Sequence, residues 1–294
     1  MILVTGATGC IGKSLVGQLN QNGVEFRALV RDEVKGRALG CDFVVGDFDD
    51  RDSLAAALEG ADRLFLNGPG AEPVNGEQQP MIRRQKSVID AALKAGVTHV
   101  VKVSVWHARQ GAKLSQGAHW EIDEYLKASG LDWSLLHPAG FMQNFIAPSA
   151  FAPDGSLLSS YGTSPVAHID CHDIAACGAA LLTGATGRGK SFVLTGSEAL
   201  TDTEVADRMS SALGRAVGRV ELPADSLAAA MRAQGLPTEF AEDLAVLVKE
   251  VAAGSQATPT TTVHAITGRP ARTFDAFLSA NLQSLRAVAV PSKR

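Results

Sequence analysis

An apolar run, Ile2-Leu3-Val4-Thr5, feeds directly into Gly6-Ala7-Thr8-Gly9-Cys10-Ile11-Gly12. Ile11, Leu15, Val16 and Leu19 then recur at helical spacing. Few folds tolerate that order of strand, spaced glycines and helix. Gly6 suits the tight turn after a strand, Gly9 lets backbone approach an anion, and Gly12 lets the helix pack close to the sheet. The helix N-terminus adds free N–H groups and the positive end of its dipole, so the motif predicts a cradle for a dinucleotide pyrophosphate.

The rest of the first half repeats the strand–helix rhythm. Strands are expected at 24–30, 43–45, 63–67, 97–105 and 133–137, and helices at 52–58, 81–94 and 117–129. Strands separated by helices through short connections predict an α/β fold, a Rossmann-type doubly wound parallel sheet. After Pro138 the rhythm changes. Residues 138–170 are rich in loops, and the helices expected at 201–213, 226–234, 239–253 and 274–288 suggest a smaller, mostly helical lobe. Two units are therefore expected, a dinucleotide-binding domain over 1–138 and a substrate lobe over 139–294, with some segments of the second returning to the main sheet. Such a lobe belongs over the carboxyl ends of the strands, where ligands of these sheets bind.

Composition excludes several classes. With 294 residues, 46% hydrophobic and 20% charged, the chain can bury a full core. A net charge of −4 and no long basic run argue against nucleic acid as a partner. No apolar run approaches the ~20 residues of a membrane span, and the motif begins too near Met1 to leave room for a signal peptide. The four cysteines, Cys10, Cys41, Cys171 and Cys177, form no C-x-x-C pair. Reduced thiols in a cytoplasmic monomer or homodimer acting on a small molecule are expected.

The second strand ends Leu29-Val30-Arg31-Asp32. An acidic residue there selects the ribose hydroxyls of NAD, whereas a guanidinium grips a 2′-phosphate with paired hydrogen bonds. Arg31, with Lys35 beyond it, favours NADP(H) and leaves NAD(H) possible. Asp32 opposes that preference, because a carboxylate beside a phosphate repels it. Asp47 and Phe48 follow the third strand, where a carboxylate can meet the adenine amino group. Asn67-Gly68-Pro69 ends the fourth strand, where the ribose should pass.

These segments resemble the NmrA-like branch of the atypical short-chain dehydrogenase/reductases over nearly the whole chain. The resemblance is carried by the glycine motif, Leu29-Val30-Arg31, Gly46-Asp47-Phe48, His119-Trp120-Glu121-Ile122-Asp123-Glu124-Tyr125-Leu126 and Pro138-Ala139-Gly140-Phe141-Met142-Gln143-Asn144-Phe145. Further marks are His172-Asp173-Ile174 and Ile266-Thr267-Gly268-Arg269-Pro270. The resemblance implies that Gly6, Thr8, Gly9, Cys10, Ile11 and Gly12 hold the pyrophosphate and that Arg31 meets the adenosine phosphate. It also implies that Asp47 and Phe48 flank adenine, and that Asn67, Gly68 and Pro69 line the ribose. Val103, Ser104 and Val105 would lie under the nicotinamide, with Pro138, Ala139 and Phe141 on its far side.

The Tyr-x-x-x-Lys dyad of ordinary short-chain dehydrogenases is absent: Tyr125 is followed by Lys127, and no lysine lies near Tyr161. Hydride transfer to a delocalised acceptor, such as a quinone, azo compound, triarylmethyl cation, enone or iminium, does not need that proton donor. Otherwise Ser104, His107 or His119 supplies the proton. Trp106, Phe141, Met142 and Phe145 are candidates for an apolar substrate pocket. His168, Asp170, Cys171, His172 and Asp173 cluster, but the segment reads as a strand-to-helix junction capped by Asp173, so no metal is expected. An NAD(P)H-dependent oxidoreductase of conjugated apolar molecules is the leading expectation. The alternative is a non-catalytic, NAD(P)-binding redox sensor.

Overall fold

The computed structural model describes residues 1–76 and 78–289. Strand β1 (Ile2–Val4) leads to α1 (Cys10–Gln21), β2 (Phe26–Val30), α2 (Glu33–Arg37), β3 (Phe43–Val45), α3 (Arg51–Leu58) and β4 (Arg63–Leu66). Then come α4 (Pro80–Lys94), β5 (His99–Val103), α5 (Leu114–Ala128) and β6 (Asp132–Pro138). Beyond two short 3-10 turns lie β7 (Leu157–Ser159), α6 (Cys171–Thr183), β8 (Lys190–Leu194), α7 (Asp202–Leu213) and β9 (Arg219–Glu221). The chain closes with α8 (Ala224–Ala233), α9 (Thr238–Ala252), α10 (Thr262–Thr267), α11 (Phe274–Ala280) and α12 (Leu282–Val288).

Seven strands form one sheet in the order β3-β2-β1-β4-β5-β6-β8, and every pairing is parallel. A parallel sheet is covered on both faces, which is why β1 and, after Arg63, β4 read as apolar runs. Alternation sorts the side chains. Val101 and Val103 of β5 join Val4 and Phe65 in the core beneath α1 and α6. Val100 turns the other way, with Leu64, Leu135 and Ile122, beneath α4 and α5. Lys102 and Ser104 share the parity of Val100 and so face α5.

The chain after Pro138 does not form one separate lobe. Helix α6 and strand β8 complete the main sheet, while β7 pairs with β9 in a second, two-stranded sheet. The lobe proper has its own core of Met142, Phe145, Leu157, Val205, Met209, Phe274, Phe277 and Leu285, with α8 and α9 packed together on small side chains. Two local expectations are corrected. Helix α6 begins at Cys171, and Asp170 caps it by accepting the His172 N–H at 3.0 Å. Asp173 lies inside the first turn and instead accepts the Arg272 N–H at 2.8 Å. The helix expected over 274–288 breaks at Asn281 (φ −117°), whose side-chain amide donates to the Phe277 carbonyl at 2.9 Å. Thr201 caps α7 in a reciprocal box with Glu204.

Candidate active site

Gly6 turns the chain with φ +64°, and a Cβ there would lie 2.8 Å from the Asn67 carbonyl oxygen. Gly12 is tighter, because its Cβ would sit 2.1 Å from the Gly6 carbonyl oxygen and 2.6 Å from the Ala7 Cα. Only glycine lets α1 settle this close to its own loop. Thr5, a residue not singled out in the sequence, locks the loop to β4: its hydroxyl donates to the Asn67 carbonyl at 2.8 Å and accepts the Asn67 N–H at 2.9 Å. No side chain caps α1, and the N–H groups of Cys10, Ile11 and Gly12 have no acceptor among the described residues. The helix end is therefore open to an anion.

It opens beside a cleft of about 300 Å³ lined by Gly6, Thr8, Gly9, Arg31, Asp47, Phe48, Asn67, Gly68 and Pro69, and also by Asp49 and Arg84. Nine residues expected at the cofactor thus come together from four strand ends. Arg31 makes no ion pair or hydrogen bond among the described residues, so its guanidinium is free for a ligand. The objection raised by Asp32 disappears, because its carboxylate caps α2 and accepts the Lys35 N–H at 2.9 Å. Lys35 does not line the cleft; it lies in an adjoining depression with Thr8 and Lys13. Arg84, on α4, donates to Asp49 at 2.9 Å and pairs with Glu72. The Arg84 hydrogen bond holds the Asp49 carboxyl below its usual range, against a weaker opposing effect of burial. Nothing in the local pattern around Arg84 distinguishes it from an ordinary helix-surface arginine. Gln85 Oε1 is buried without a partner, and its side chain approaches Gly68, which lines the cleft. An orphaned buried acceptor of this kind fits a ligand that brings a donor.

At the ends of β5 and β6 lies a buried polar network that the sequence did not disclose. Lys102, fully buried, donates to Asp123 Oδ1 at 2.8 Å and to His119 Nδ1 at 2.9 Å. Ser104 donates to Asp123 Oδ2 at 2.6 Å, and His137 Nε2 lies 3.3 Å from the same oxygen. Burial alone would raise the Asp123 pKa. The Lys102 ammonium, the nearby His137 imidazole and hydrogen bonds from Lys102 and Ser104 outweigh it and hold the carboxyl well below its usual range. Burial pushes the Lys102 ammonium down, and Asp123 restores part of that loss. Because Lys102 donates to Nδ1, the His119 proton resides on Nε2. Burial first, then the Lys102 charge, hold His119 well below its ordinary pKa, so it is neutral at physiological pH. Its Nε2 makes no hydrogen bond among the described residues and is not sealed from solvent. His119 and Asp123 stand four apart on the helix that follows the serine-bearing strand end, so both face the sheet.

The other expected residues are dispersed. His107, with φ +64°, donates from Nε2 to the Ser255 carbonyl at 2.7 Å and stacks on Trp106 at 4.8 Å. That proton ties the loop after β5 to the distant chain around Ser255. Val103 belongs to the sheet core, and Phe141, half-buried, bridges to Ile169. Met142 is packed inside the lobe core. Pro138 accepts the Trp106 N–H at 3.0 Å. Phe145 lines a cavity of about 250 Å³ with Leu157, Leu158, Leu222, Leu227, Tyr161 and His168. Burial pushes His168 down to about 4, so its imidazole is neutral; Asp202 also lines this cavity, and burial followed by the Asp202 charge raises Tyr161. Trp133 packs against the core beneath α5. Among the described residues no helix is long and apolar enough to cross a membrane.

A doubly wound parallel sheet whose first helix end opens on a cleft defines a dinucleotide-binding protein. The NmrA-like family model matches residues 1–278, and the chain belongs to that family. It is 33% identical over 287 residues to the NAD(P)H azoreductase of Xenophilus azovorans, covering 96% of this chain and 98% of the relative. It is 34% identical over 281 residues to a (4-alkanoyl-5-oxo-2,5-dihydrofuran-3-yl)methyl phosphate reductase of Streptomyces griseus, covering 93% and 95%. Among solved structures it resembles the NADPH-dependent quinone oxidoreductase of Escherichia coli in complex with NADPH. The TM-score is 0.81 at 28% identity, covering 96% of this chain and all of the other.

Proposed function

We propose that the protein is an NADP(H)-dependent reductase of conjugated, largely apolar small molecules. The observation that carries this reading is the free Arg31 guanidinium on the cleft beside an uncapped α1, with the neighbouring carboxylate withdrawn to cap α2. The named activities of the azo, furanone and quinone relatives support it. The nicotinamide, when bound, supplies the hydride. The chain's own residues bind, orient and exclude water. The α1 N-terminus takes the pyrophosphate, Arg31 the 2′-phosphate, and Asp47 with Phe48 the adenine. The acceptor is a conjugated, largely apolar molecule held beside the nicotinamide. Orientation then provides most of the acceleration, because such an acceptor spreads the incoming charge.

His119 is the group assigned to the reduced acceptor. As a neutral imidazole with its proton on Nε2, it donates a hydrogen bond to developing negative charge rather than titrating in the working range. His119→Phe is expected to lower kcat about 100-fold while leaving NADPH affinity unchanged. The wild-type rate should show no ionisation of this histidine between about pH 6 and 8. A step near pH 6.5 that disappears in His119→Phe would show the imidazole acting as a cation and sink this assignment.

The reading is tested by following NADPH oxidation with quinones, azo dyes, triarylmethane dyes, enones and iminium compounds. Turnover of at least one class is expected. Intact NADPH binding without turnover of any would sink the reductase reading. Arg31→Ala should weaken NADPH by about 10- to 100-fold, as for loss of charge-assisted hydrogen bonds to phosphate. NADH should change little. Equal losses for both cofactors, measured by titration, would remove the phosphate assignment.

A further inference from the structure

Asp202 is a buried carboxylate without a counter-ion. It is the first residue of α7 and is 3% exposed. Its Oδ2 accepts the Ser159 hydroxyl at 2.7 Å and the Tyr161 N–H at 3.2 Å. Its Oδ1 accepts no hydrogen bond among the described residues and is not sealed from solvent. Arg219 stops one link short: it donates to the Ser159 hydroxyl at 3.1 Å and pairs with Glu221 at 3.3 Å. Asp202 itself makes no ion pair among the described residues. A carboxylate withdrawn from water in this way is costly, and the N-terminus of α7 offsets only part of that cost. Asp202 lines the lobe cavity of about 250 Å³ together with Phe145, Leu157, Tyr161, His168 and Leu227.

We propose that this cavity binds a small protonated amine, with the ammonium on Asp202 Oδ1 and the hydrocarbon body among Phe145, Leu157 and Leu227. The ligand supplies the counter-charge that the chain withholds. An ammonium brings three donors and no acceptor. Asp202 Oδ1 offers a charge-assisted partner, and the Tyr161 hydroxyl, which makes no hydrogen bond among the described residues, offers a second. No lysine or arginine lines the cavity, and burial keeps His168 neutral, so no cation in the wall competes for the carboxylate. The remaining wall is largely apolar and aromatic, with Phe145 set edge-on to His168 at 4.8 Å. Few polar groups in such a wall fix orientation and select the head group. Volume limits the body. An apolar cavity of about 150 Å³ holds benzene, so one ring on a short tether fits here. A carboxylate head would meet Asp202 with like charge, and a hydroxyl head would forfeit the charge-assisted bond. The cavity shares no lining residue with the cofactor cleft, so this site does not depend on the reductase reading.

The test is calorimetric titration of the full chain with phenethylammonium, phenethyl alcohol and hydrocinnamate, which share a phenyl ring on a two-carbon tether and differ in the charge of the head. Phenethylammonium should bind about 10- to 100-fold more tightly than the alcohol, as for a hydrogen bond to a charged group, and hydrocinnamate should bind least. Asp202→Asn keeps an acceptor for Ser159 and the Tyr161 N–H, and should lose that preference while still binding the alcohol. Leu227→Trp, which fills the cavity from α8, should abolish binding of both. It leaves Asp202 intact, so it and the wild-type series decide the matter even if Asp202→Asn does not fold. The proposal is overturned by equal affinities for the three heads, by no ammonium binding at millimolar concentration, or by ammonium binding that survives Leu227→Trp. Competitive displacement of the ammonium by NADPH would place it in the cofactor cleft and overturn the proposal as well. No turnover enters these measurements. A protein that reduces no acceptor yet selects the ammonium would refute the reductase reading and leave this site standing.

Discussion

Asp123→Asn is expected to destabilise the protein by about 3–5 kcal/mol, the cost of leaving a buried charge without its counter-ion. Lys102 is 0% exposed and Asp123 is 3% exposed, so neither can turn to water. The substitution removes the charge that holds the Lys102 ammonium and alters the acceptor for Ser104. In a chain of this length the melting temperature should fall by about 10 °C. Replacing both partners, as Lys102→Met with Asp123→Leu, should recover much of that stability, since the cost arises mainly from the uncompensated charge. The double variant should still lose the fixed His119 tautomer, and with it turnover. Thermal and urea melts of the three proteins decide the matter. A loss below about 1 kcal/mol for the single variant would mean that water reaches Lys102. The pH dependence has a definite sign. Asp123 has a depressed folded-state pKa, so its contribution is complete above the unfolded carboxyl value of 3.8 and is lost as pH falls toward the folded one. The double variant should therefore be less sensitive to acid below about pH 4 than the wild type.

Gly12→Ala should abolish measurable cofactor binding, with at least a 100-fold weakening of NADPH and a stability loss of about 1–3 kcal/mol. The added methyl would overlap the Gly6 carbonyl and the Ala7 Cα, both backbone, so no side-chain rotation relieves it. Helix α1 must move away from the loop, and the N–H groups that face the cleft move with it. Gly17→Ala is the control on the same helix. Nothing lies within 4 Å of its new Cβ, and alanine is the better helix former by about 1 kcal/mol. That variant should bind NADPH normally and melt slightly higher. Equal behaviour of the two variants, by cofactor titration and thermal melting, would show that close packing at Gly12 does not shape the cradle.

Local patterns disclosed the features that local physics governs. The glycine spacing, the unbroken apolar strands and Arg31 at the end of β2 follow from backbone sterics and burial on both sheet faces, and the cleft gathers them as expected. Capping was legible only to within a few positions, since Asp170 and Asp173 are both plausible caps until the helix start is known. Lys102 offered a signal in retrospect, a lone lysine among the valines of a buried strand, which needs a buried counter-charge. The fate of the aromatic stretch was less legible. Met142 and Phe145 both enter the lobe core, but only Phe145 also lines the cavity, and nothing in their order separates the two.

By itself, then, the sequence determined a doubly wound sheet, an uncapped helix end after the glycine loop and a cation at the end of β2, because each depends on residues within one turn or strand. Tertiary structure alone decided which charges are compensated. Lys102 finds Asp123 across a sheet–helix interface, and Asp32 is withdrawn from the cleft by the start of α2. Desolvation and contact between distant segments exist only once the chain has folded.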